Sequence, residues 1–581
     1  VCPDLWLLGA AKIPPLDLMP RQVLVERLSA TCSTDAMAYN MADLFEHAVD
    51  AIPEKTTLIC GEETRTYAHL EAQANRLAHH LADAGITPGT HVGIYAANSI
   101  EWIEAMLAIF KIRAVPININ YRYVETELAY LFDNADLEAL VYREEFGPRV
   151  SAVIDSCPKL RHLVMIPDGS GATQDGLNPV SYGDALASGS PERDFGPRSS
   201  DDIVIIYTGG TTGMPKGVMW RSEDIFFALI GGTDPFTHEQ VKDEFEHARN
   251  AAAAGGQLVF LNTPPLMHGA AFASTLMQSF QGNVNVLVER FDARDVWRTI
   301  EHDKVNSVLI VGDAMGRPMI EALEAMEAEG NEFDLSSLIS LSSSAAVFSP
   351  TVKDRFLDRF PHLILTDSIG ATESGFTGIR TVTKDDTAMK GGGPTVSPGR
   401  DTVVLDDDLN LVEPGSGITG KVARGGNIPL GYYKDQAKTA ATFVVAANGN
   451  RYSVPGDFAM VEPDGRITLL GRGSVCINTG GEKVYPEEVE SVLKAHPDVF
   501  DAIVVGAPDE RWGQRVSAII EVRAGHDLDL ADLDRHAREN LAGYKLPRSI
   551  QLVDEVRRSP SGKPDYPWAL ALAADQKAPP T

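Results

Sequence analysis

Cysteine is scarce in this 581-residue chain. Cys2, Cys32, Cys60, Cys157 and Cys476 are widely spread, odd in number and without a CxxC pair. That excludes a disulfide framework and a paired-cysteine zinc site, and it suits a reducing, cytoplasmic setting. Basic residues are also few, 51 Lys and Arg against 81 Asp and Glu, for a formal net charge of −30. A chain so acidic is not built to coat nucleic acid or to lie on an anionic lipid surface. No apolar run approaches the ~20 residues of a membrane-spanning helix. There is no internal repeat and no long low-complexity tract. The opening "VCPDLWLLGAAKIPPLDLMP" lacks a basic lead and is broken by prolines, so it makes a poor signal peptide. Residues 1–36 are expected to be an extension outside the fold.

What is present is enough chain for at least two domains, with the apolar and charged fractions of an ordinary globular enzyme. From Met41 the apolar residues fall at helical spacing until Pro53, and "TYAHLEAQANRLAHHLADAG" predicts a second helix ending at Gly85. "HVGIYA", "SIEWIEAMLAIFKI" and "AVPINI" then read as strand, helix and strand, and "SVLIVGD" with "GRPMIEALEAMEAEG" repeats the alternation, which predicts a layered α/β core. From about Gly391 short strands between turns predict a β-rich subdomain. After Gly471 helix and strand alternate again over roughly a hundred residues, the size of a small separate domain.

Within this frame lies "YTGGTTGMPKG", Tyr207 to Gly217, placed directly after the apolar run "IVII". Glycine lets backbone N–H groups approach a ligand, threonine adds hydroxyl donors and lysine adds a cation, a combination that suits a polyphosphate. It is not a P-loop, because Pro215 stands where the second glycine belongs and Gly217 where Ser or Thr belongs. The "VMW" that follows is β-like rather than the first turn of a helix. A glycine-rich hairpin turn is the blander reading, but it does not call for three threonines and a lysine.

The loop resembles the signature of the adenylate-forming superfamily, which includes acyl-CoA synthetases, peptide-synthetase adenylation domains and firefly-type luciferases. The resemblance runs in chain order from Met37 to Trp568 through "PPLMHGAA", "SSSAAVFS", "DSIGATES", "VPGDFAMVEPDGRITLLGRGS", "GGEKVYPEEVE" and "RSPSGKPDY". It implies an α/β fold with a large multi-layer adenylation domain, two sheets plus a β-rich subdomain, over 37–471. A small mobile α+β lid would follow over 472–581. It implies ATP, Mg²⁺ and CoA as cofactors. Thr208, Gly209, Gly210, Thr211, Thr212, Gly213 and Lys216 would hold the β- and γ-phosphates. Ser344, Ala345, Asp367, Ser368 and Ile369 would flank the adenine, and Asp457 with Arg472 would hold the ribose. Glu373 would bind the metal, Thr372 the α-phosphate, and Lys563 would bridge carboxylate and α-phosphate. His268 and Gly269 would line the acyl site, Ser474 would be the hinge, and Gly480, Gly481 and Lys545 would serve CoA.

Each assignment has a plainer counterpart. Glu373 could be a surface carboxylate, Asp457 a turn residue, His268 a satisfied polar residue in an apolar site and Lys563 a solvated lysine. Lys545, Arg548, Arg557 and Arg558 predict a basic patch that either meets CoA phosphates or solvates the surface. Gly209 replaces the usual serine of the loop, Ile369 replaces a tyrosine that packs on adenine, and Ser474 with Val475 replaces a charged hinge pair. Those departures resemble actinobacterial fatty-acid and cholesterol side-chain CoA ligases. The resemblance therefore implies a hydrophobic carboxylate, a long-chain fatty acid or a steroid side chain, as substrate. Alternatives are adenylation for a carrier protein, luciferase-like oxygenation and a non-catalytic nucleotide-binding scaffold. A carrier domain fused in the peptide-synthetase manner is not expected from "PP" to the final Thr581. A homodimer is an assembly the sequence leaves open.

Overall fold

The computed structural model describes residues 39–208, 214–386, 394–472, 475–479, 482–509, 512–558 and 562–575. The 1–36 segment lies outside them, as do Gly209, Gly210, Thr211, Thr212, Gly213, Ser474, Gly480 and Gly481.

Among the described residues the strands form three sheets. In one, Ile203–Thr208, Val115–Asn118, His91–Tyr95, Ala139–Arg143, His162–Ile166 and Val180–Ser181 run parallel, with the hairpin partner Lys216–Arg221 antiparallel at one side. In the second, Thr56–Cys60, Val284–Leu287, Val259–Asn262, Ser307–Ile310, Ser340–Ser344 and Ile364–Ala371 run parallel. This sheet then turns antiparallel through Gly375–Val382 and Thr395–Pro398 into the β-rich part that ends at Ile467–Arg472. The third and smallest sheet begins at Ile477 and pairs Val499–Asp509 with Gly513–Val522 at its centre. The α/β class, the large sheet-built N-terminal part and the small C-terminal α+β unit are as the sequence implies.

The first helices show why the sequence folds this way. Asn40 caps Met41–Ala51 by accepting from Ala42 N at 2.9 Å, and the 3.6-residue spacing buries Met41, Leu44, Phe45, Ala48 and Val49. Thr66 caps Tyr67–Asp83 and Ser99 caps Ile100–Lys111, the latter buried all round. These three helices also share an internal charge network. Lys111 is fully enclosed and donates to Glu46 at 2.6 Å and to Glu71 at 2.7 Å, while Arg198 reaches Glu46 at 2.8 Å. Burial alone would raise the Glu46 pKa, but the Lys111 ammonium and Arg198 guanidinium outweigh it and hold the carboxyl below its ordinary value.

The C-terminal unit meets the rest through a few named contacts. Arg523 donates to Glu321 at 2.5 Å, Arg317 lies 5.7 Å from the centre of the Phe500 ring, and Gly562 presses on Val311 and Ala314. Gly562 has φ +68°, and an added Cβ would come within 2.9 Å of Val311 Cγ1, so a side chain there would be strained and crowded.

Removing Lys111 takes the shared, fully enclosed cation from two buried carboxylates and leaves Glu46 with Arg198 and Glu71 with Arg193. Lys111→Met is expected to lower unfolding free energy by roughly 3–5 kcal/mol, read as the shift of the urea midpoint at neutral pH. A change below 1 kcal/mol would mean that the network is not holding these helices together.

Candidate functional site

The phosphate-type loop joins two strands of a hairpin, Ile203–Thr208 and Lys216–Arg221, with Thr208 paired to Lys216 across its base. The β character expected after the loop is therefore present. Lys216 points to Asp435, with which it forms an ion pair that keeps the Asp435 carboxyl below its ordinary pKa. Four residues along the same strand, fully buried Trp220 donates from Nε1 to the Thr372 carbonyl at 3.0 Å. A hydrogen bond thus ties the strand after the loop to the "GATES" segment.

Glu373 is held from two directions. Tyr432 donates to Oε1 at 2.9 Å, and Ser453 donates to the Glu373 carbonyl at 2.6 Å. Burial, reinforced by the neighbouring carboxylate, raises the Tyr432 pKa, so the phenol stays a donor. A half-buried carboxylate fixed in this way suits a hard cation, which prefers one or two carboxylates together with phosphate oxygens. No cluster of three or more acidic, His or Cys ligands occurs among the described residues.

Asn118 ties the loop strand to the "PPLMHGAA" segment. Its side-chain amide donates to the carbonyls of Tyr207 at 2.9 Å and Met267 at 2.6 Å, and its oxygen accepts from Tyr207 N at 2.7 Å. His268 is the N-cap of the helix Gly269–Phe280 and makes no side-chain cap bond, which leaves the first-turn N–H groups without that acceptor. A Cβ on Gly269 would lie 3.6 Å from Thr372 Oγ1, so this helix start adjoins the "GATES" segment. Among the described residues His268 Nε2 is buried without a hydrogen-bond partner. Desolvation, then the positive charges of Lys563 and Arg122, lower the His268 pKa to about 4. Lys563, some three hundred residues later in the chain, is thus close enough to act on this imidazole.

The remaining predicted residues fall as follows. Ser344 ends a strand beside Ser368, and Ala345 takes a left-handed φ of +66°, uncommon for a residue with a side chain. Asp367 has its carboxylate turned to Lys353 in a buried ion pair, so it could meet a base only through its backbone. Ile369 is half-buried and packs against the Val396–Val404 cluster of the β-rich part. Asp457 pairs with Arg472 across a hairpin. Lys545 donates to both carboxylate oxygens of Glu488, at 2.6 and 2.7 Å.

Of the expected basic patch, Arg548 and Arg557 stay exposed while Arg558 is lost to an internal ion pair. Arg558 turns inward to Asp501, Arg548 lies over Trp512 and Arg557 over Trp568. The reason is that aspartates and aromatic rings from other segments, which sequence neighbours do not reveal, claim these cations. Sequence reasoning also missed Asn118, Trp220, Tyr432 and Asp435. None sits in a glycine-rich or charged signature, although "GYYKD" pairs aromatic and acidic residues in a way that marks a polar cluster.

Between the two parts of the chain lies a cleft of 930 Å³, lined in part by Phe146, Pro265, Phe291, Met315, Pro318 and Phe500. The "GDAMGRP" segment, residues 312–318, supplies two of these.

The family model described as AMP-binding enzyme matches residues 45–433, and that described as AMP-binding enzyme C-terminal domain matches 488–563. The chain is 53% identical over 534 residues to a medium/long-chain-fatty-acid–CoA/3-oxocholest-4-en-26-oate–CoA ligase of Mycobacterium tuberculosis strain H37Rv, covering 92% of this chain and 96% of that one. It is 54% identical over 534 residues to a 3-oxocholest-4-en-26-oate–CoA ligase of Rhodococcus rhodochrous, with the same coverage. Among solved structures, the anthranilate CoA ligase AuaEII in complex with anthranoyl-AMP shares the fold with a TM-score of 0.77 at 22% identity, covering 93% of this chain and 98% of that one.

With its pKa lowered to about 4, His268 should stay neutral across the physiological range. Between about pH 6.5 and 4 the unfolded chain then binds a proton that the folded chain does not, so this residue makes stability fall as pH falls. Imidazole ¹⁵N shifts should show no His268 titration above pH 5, and His268→Gln should flatten the acid side of the stability profile. A midpoint near 6.5 would contradict the burial.

Proposed function

The chain belongs to the AMP-binding enzyme family, and from that premise we propose that it activates a hydrophobic carboxylic acid with ATP and passes the acyl group to CoA. The carboxylate attacks the α-phosphorus, pyrophosphate leaves, and the acyl-adenylate then reacts with the CoA thiol to give acyl-CoA and AMP. One observation carries this reading: the positive charge of Lys563 in the C-terminal unit acts on the His268 imidazole, beside the helix start that adjoins Thr372. Relatives more than 50% identical over nine-tenths of the chain, all CoA ligases, support the reaction class.

The chemistry demands positive potential, because two anions must meet. We assign Lys563 to the junction of carboxylate and α-phosphate, where an ammonium favours the more highly charged transition state. The N–H groups that open Gly269–Phe280 add the positive end of a helix dipole on the acyl side. Neutral His268, with Nε2 free of partners among the described residues, orients the acid without adding charge. Lys216 and the loop it closes hold the β- and γ-phosphates, with Asp435 parking the lysine until nucleotide arrives. Asp457 and Arg472 hold the ribose, and Ser344, Ala345, Ser368 and Ile369 flank the base. Glu373, held by Tyr432, is the residue we assign to Mg²⁺, which when bound neutralises phosphate charge.

The adenylation unit is read as 37–471 and the lid as 472–581, in keeping with a third sheet that starts at Ile477. Relatives named for medium/long-chain fatty acids and for 3-oxocholest-4-en-26-oate support a bulky acid: a long-chain fatty acid or a steroid side-chain carboxylate. The thiols Cys60 and Cys157, in no disulfide, support a cytoplasmic setting, and a homodimer is to be read by light scattering.

Purified protein given ATP, Mg²⁺, CoA and a panel of fatty acids and steroid acids should yield acyl-CoA and AMP by mass spectrometry. Lys563→Ala should lower adenylation by roughly 10²–10³-fold. Adenylate without thioester would redirect the second step to a carrier protein, and nucleotide binding without pyrophosphate release from any acid would leave only a scaffold.

A further inference from the structure

A lysine is a point charge on a flexible four-carbon stem, so its backbone must be held if its ammonium is to act at one position. The segment carrying Lys563 is held at its base. Arg558 and Pro564 form a β-bridge, and Asp565 N donates to the Arg557 carbonyl at 3.1 Å. Arg558 does more than join the bridge. Its Nε donates to Asp501 Oδ2 at 2.5 Å, Nη2 donates to Asp501 Oδ1 at 2.8 Å, and Nη1 donates to the Gly562 carbonyl at 3.0 Å. That carbonyl belongs to the peptide that leads into Lys563.

Asp501 is itself fixed, on the strand Val499–Asp509 and accepting from Ala502 N at 2.8 Å. Both side chains of the pair are more than four-fifths enclosed, 17% exposed for Arg558 and 15% for Asp501. All three guanidinium nitrogens are engaged, so Arg558 has little left to offer a phosphate. On the far side, Gly562 rests on Val311 and Ala314 of the N-terminal part. The lysine is therefore suspended between a fork anchored in the small sheet and a contact on the large unit.

We propose that Arg558, bound in a fork to Asp501 and to the Gly562 carbonyl, is a positioning residue for Lys563 in the adenylation step. It acts through the lysine and does not touch the substrate. The proposal rests on the role assigned to Lys563 above. An ion pair that merely stabilised the C-terminal unit would matter equally to both half-reactions. A clamp on the lysine matters to adenylation alone, because thioester formation starts from an adenylate already made.

The test separates the two half-reactions in wild-type, Lys563→Ala, Arg558→Gln, Arg558→Lys and Asp501→Asn proteins. Adenylation is read as acid-dependent ATP–pyrophosphate exchange, and the second step as acyl-CoA formed from supplied acyl-adenylate and CoA. Because a displacement of about 1 Å can cost ~100-fold, Arg558→Gln should lose about 30–100-fold in adenylation kcat. Its KM for ATP should stay within about threefold and the second step within about twofold, since Arg558 does not hold nucleotide. Arg558→Lys, which keeps the charge but not the fork, should recover only part of the loss, and Asp501→Asn should follow the same split. If Arg558→Gln does not fold, the Lys and Asn variants carry the same comparison. Equal losses in both steps, or full adenylation in the Arg558 variants, would overturn the proposal. Full adenylation by Lys563→Ala would instead overturn the lysine's role, whereas a crippled Lys563→Ala beside a normal Arg558→Gln would sink the clamp alone.

Discussion

Two anions must be brought together on a protein that is itself strongly anionic. With a formal net charge of −30, the field of the whole molecule repels both a carboxylate and a nucleotide. The site works against that field with local positive groups: Lys216 at the hairpin, the N-terminus of Gly269–Phe280, and Lys563 brought in from the other unit. Each is close to a counter-charge or dipole that keeps it in place. Asp435 faces Lys216, and Arg558, fixed by Asp501, holds the carbonyl before Lys563. The acidic residues around the site are therefore not only background, since some of them aim the cations.

The rest of the fold follows from that need. Lys216 is placed by a strand hairpin at the edge of one parallel sheet, and Thr372 and Glu373 by the end of a strand in the other. Nothing in either sheet alone makes a site. Trp220 Nε1 on the Thr372 carbonyl and Asn118 on the carbonyls of Tyr207 and Met267 stitch them together. These are part-buried hydrogen bonds between residues 89 to 152 positions apart, and each removes an alternative arrangement because an unmade partner would be costly.

Local chemistry was legible and remote pairing was not. The glycine- and threonine-rich loop announces itself because its function is written in consecutive residues. The helix caps at Asn40, Thr66 and Ser99 are equally local, since each bonds a neighbour two or three positions away. Tyr432 reaching Glu373 across 59 positions and Lys216 reaching Asp435 across 219 leave no such trace. The same blindness produced the one misdrawn surface. Arg557 and Arg558 look like a free basic pair in sequence, yet Asp501, 57 residues earlier, draws Arg558 inward. Asp367 is a parallel case, because its neighbours suggest a ligand contact while Lys353 takes its carboxylate.

The contacts named across the two units are small in number and mixed in kind. Arg523 on Glu321 is a partly exposed ion pair, 23% and 31% accessible, and such pairs contribute about 0–1 kcal/mol. Arg317, only 3% exposed, adds a cation–π contact beside Phe500, worth about 2 kcal/mol where the cation is desolvated. Gly562 on Val311 and Ala314 is a close fit of small groups rather than a broad apolar seal. A C-terminal unit proposed to bring its lysine in for one chemical step and withdraw it for the next would be poorly served by a deep hydrophobic interface. The stiffness is instead inside the lid, where Arg558 and Asp501 are enclosed and fully bonded. A rigid lysine mount on a weakly held lid lets the lysine arrive in one geometry and leave without unfolding anything.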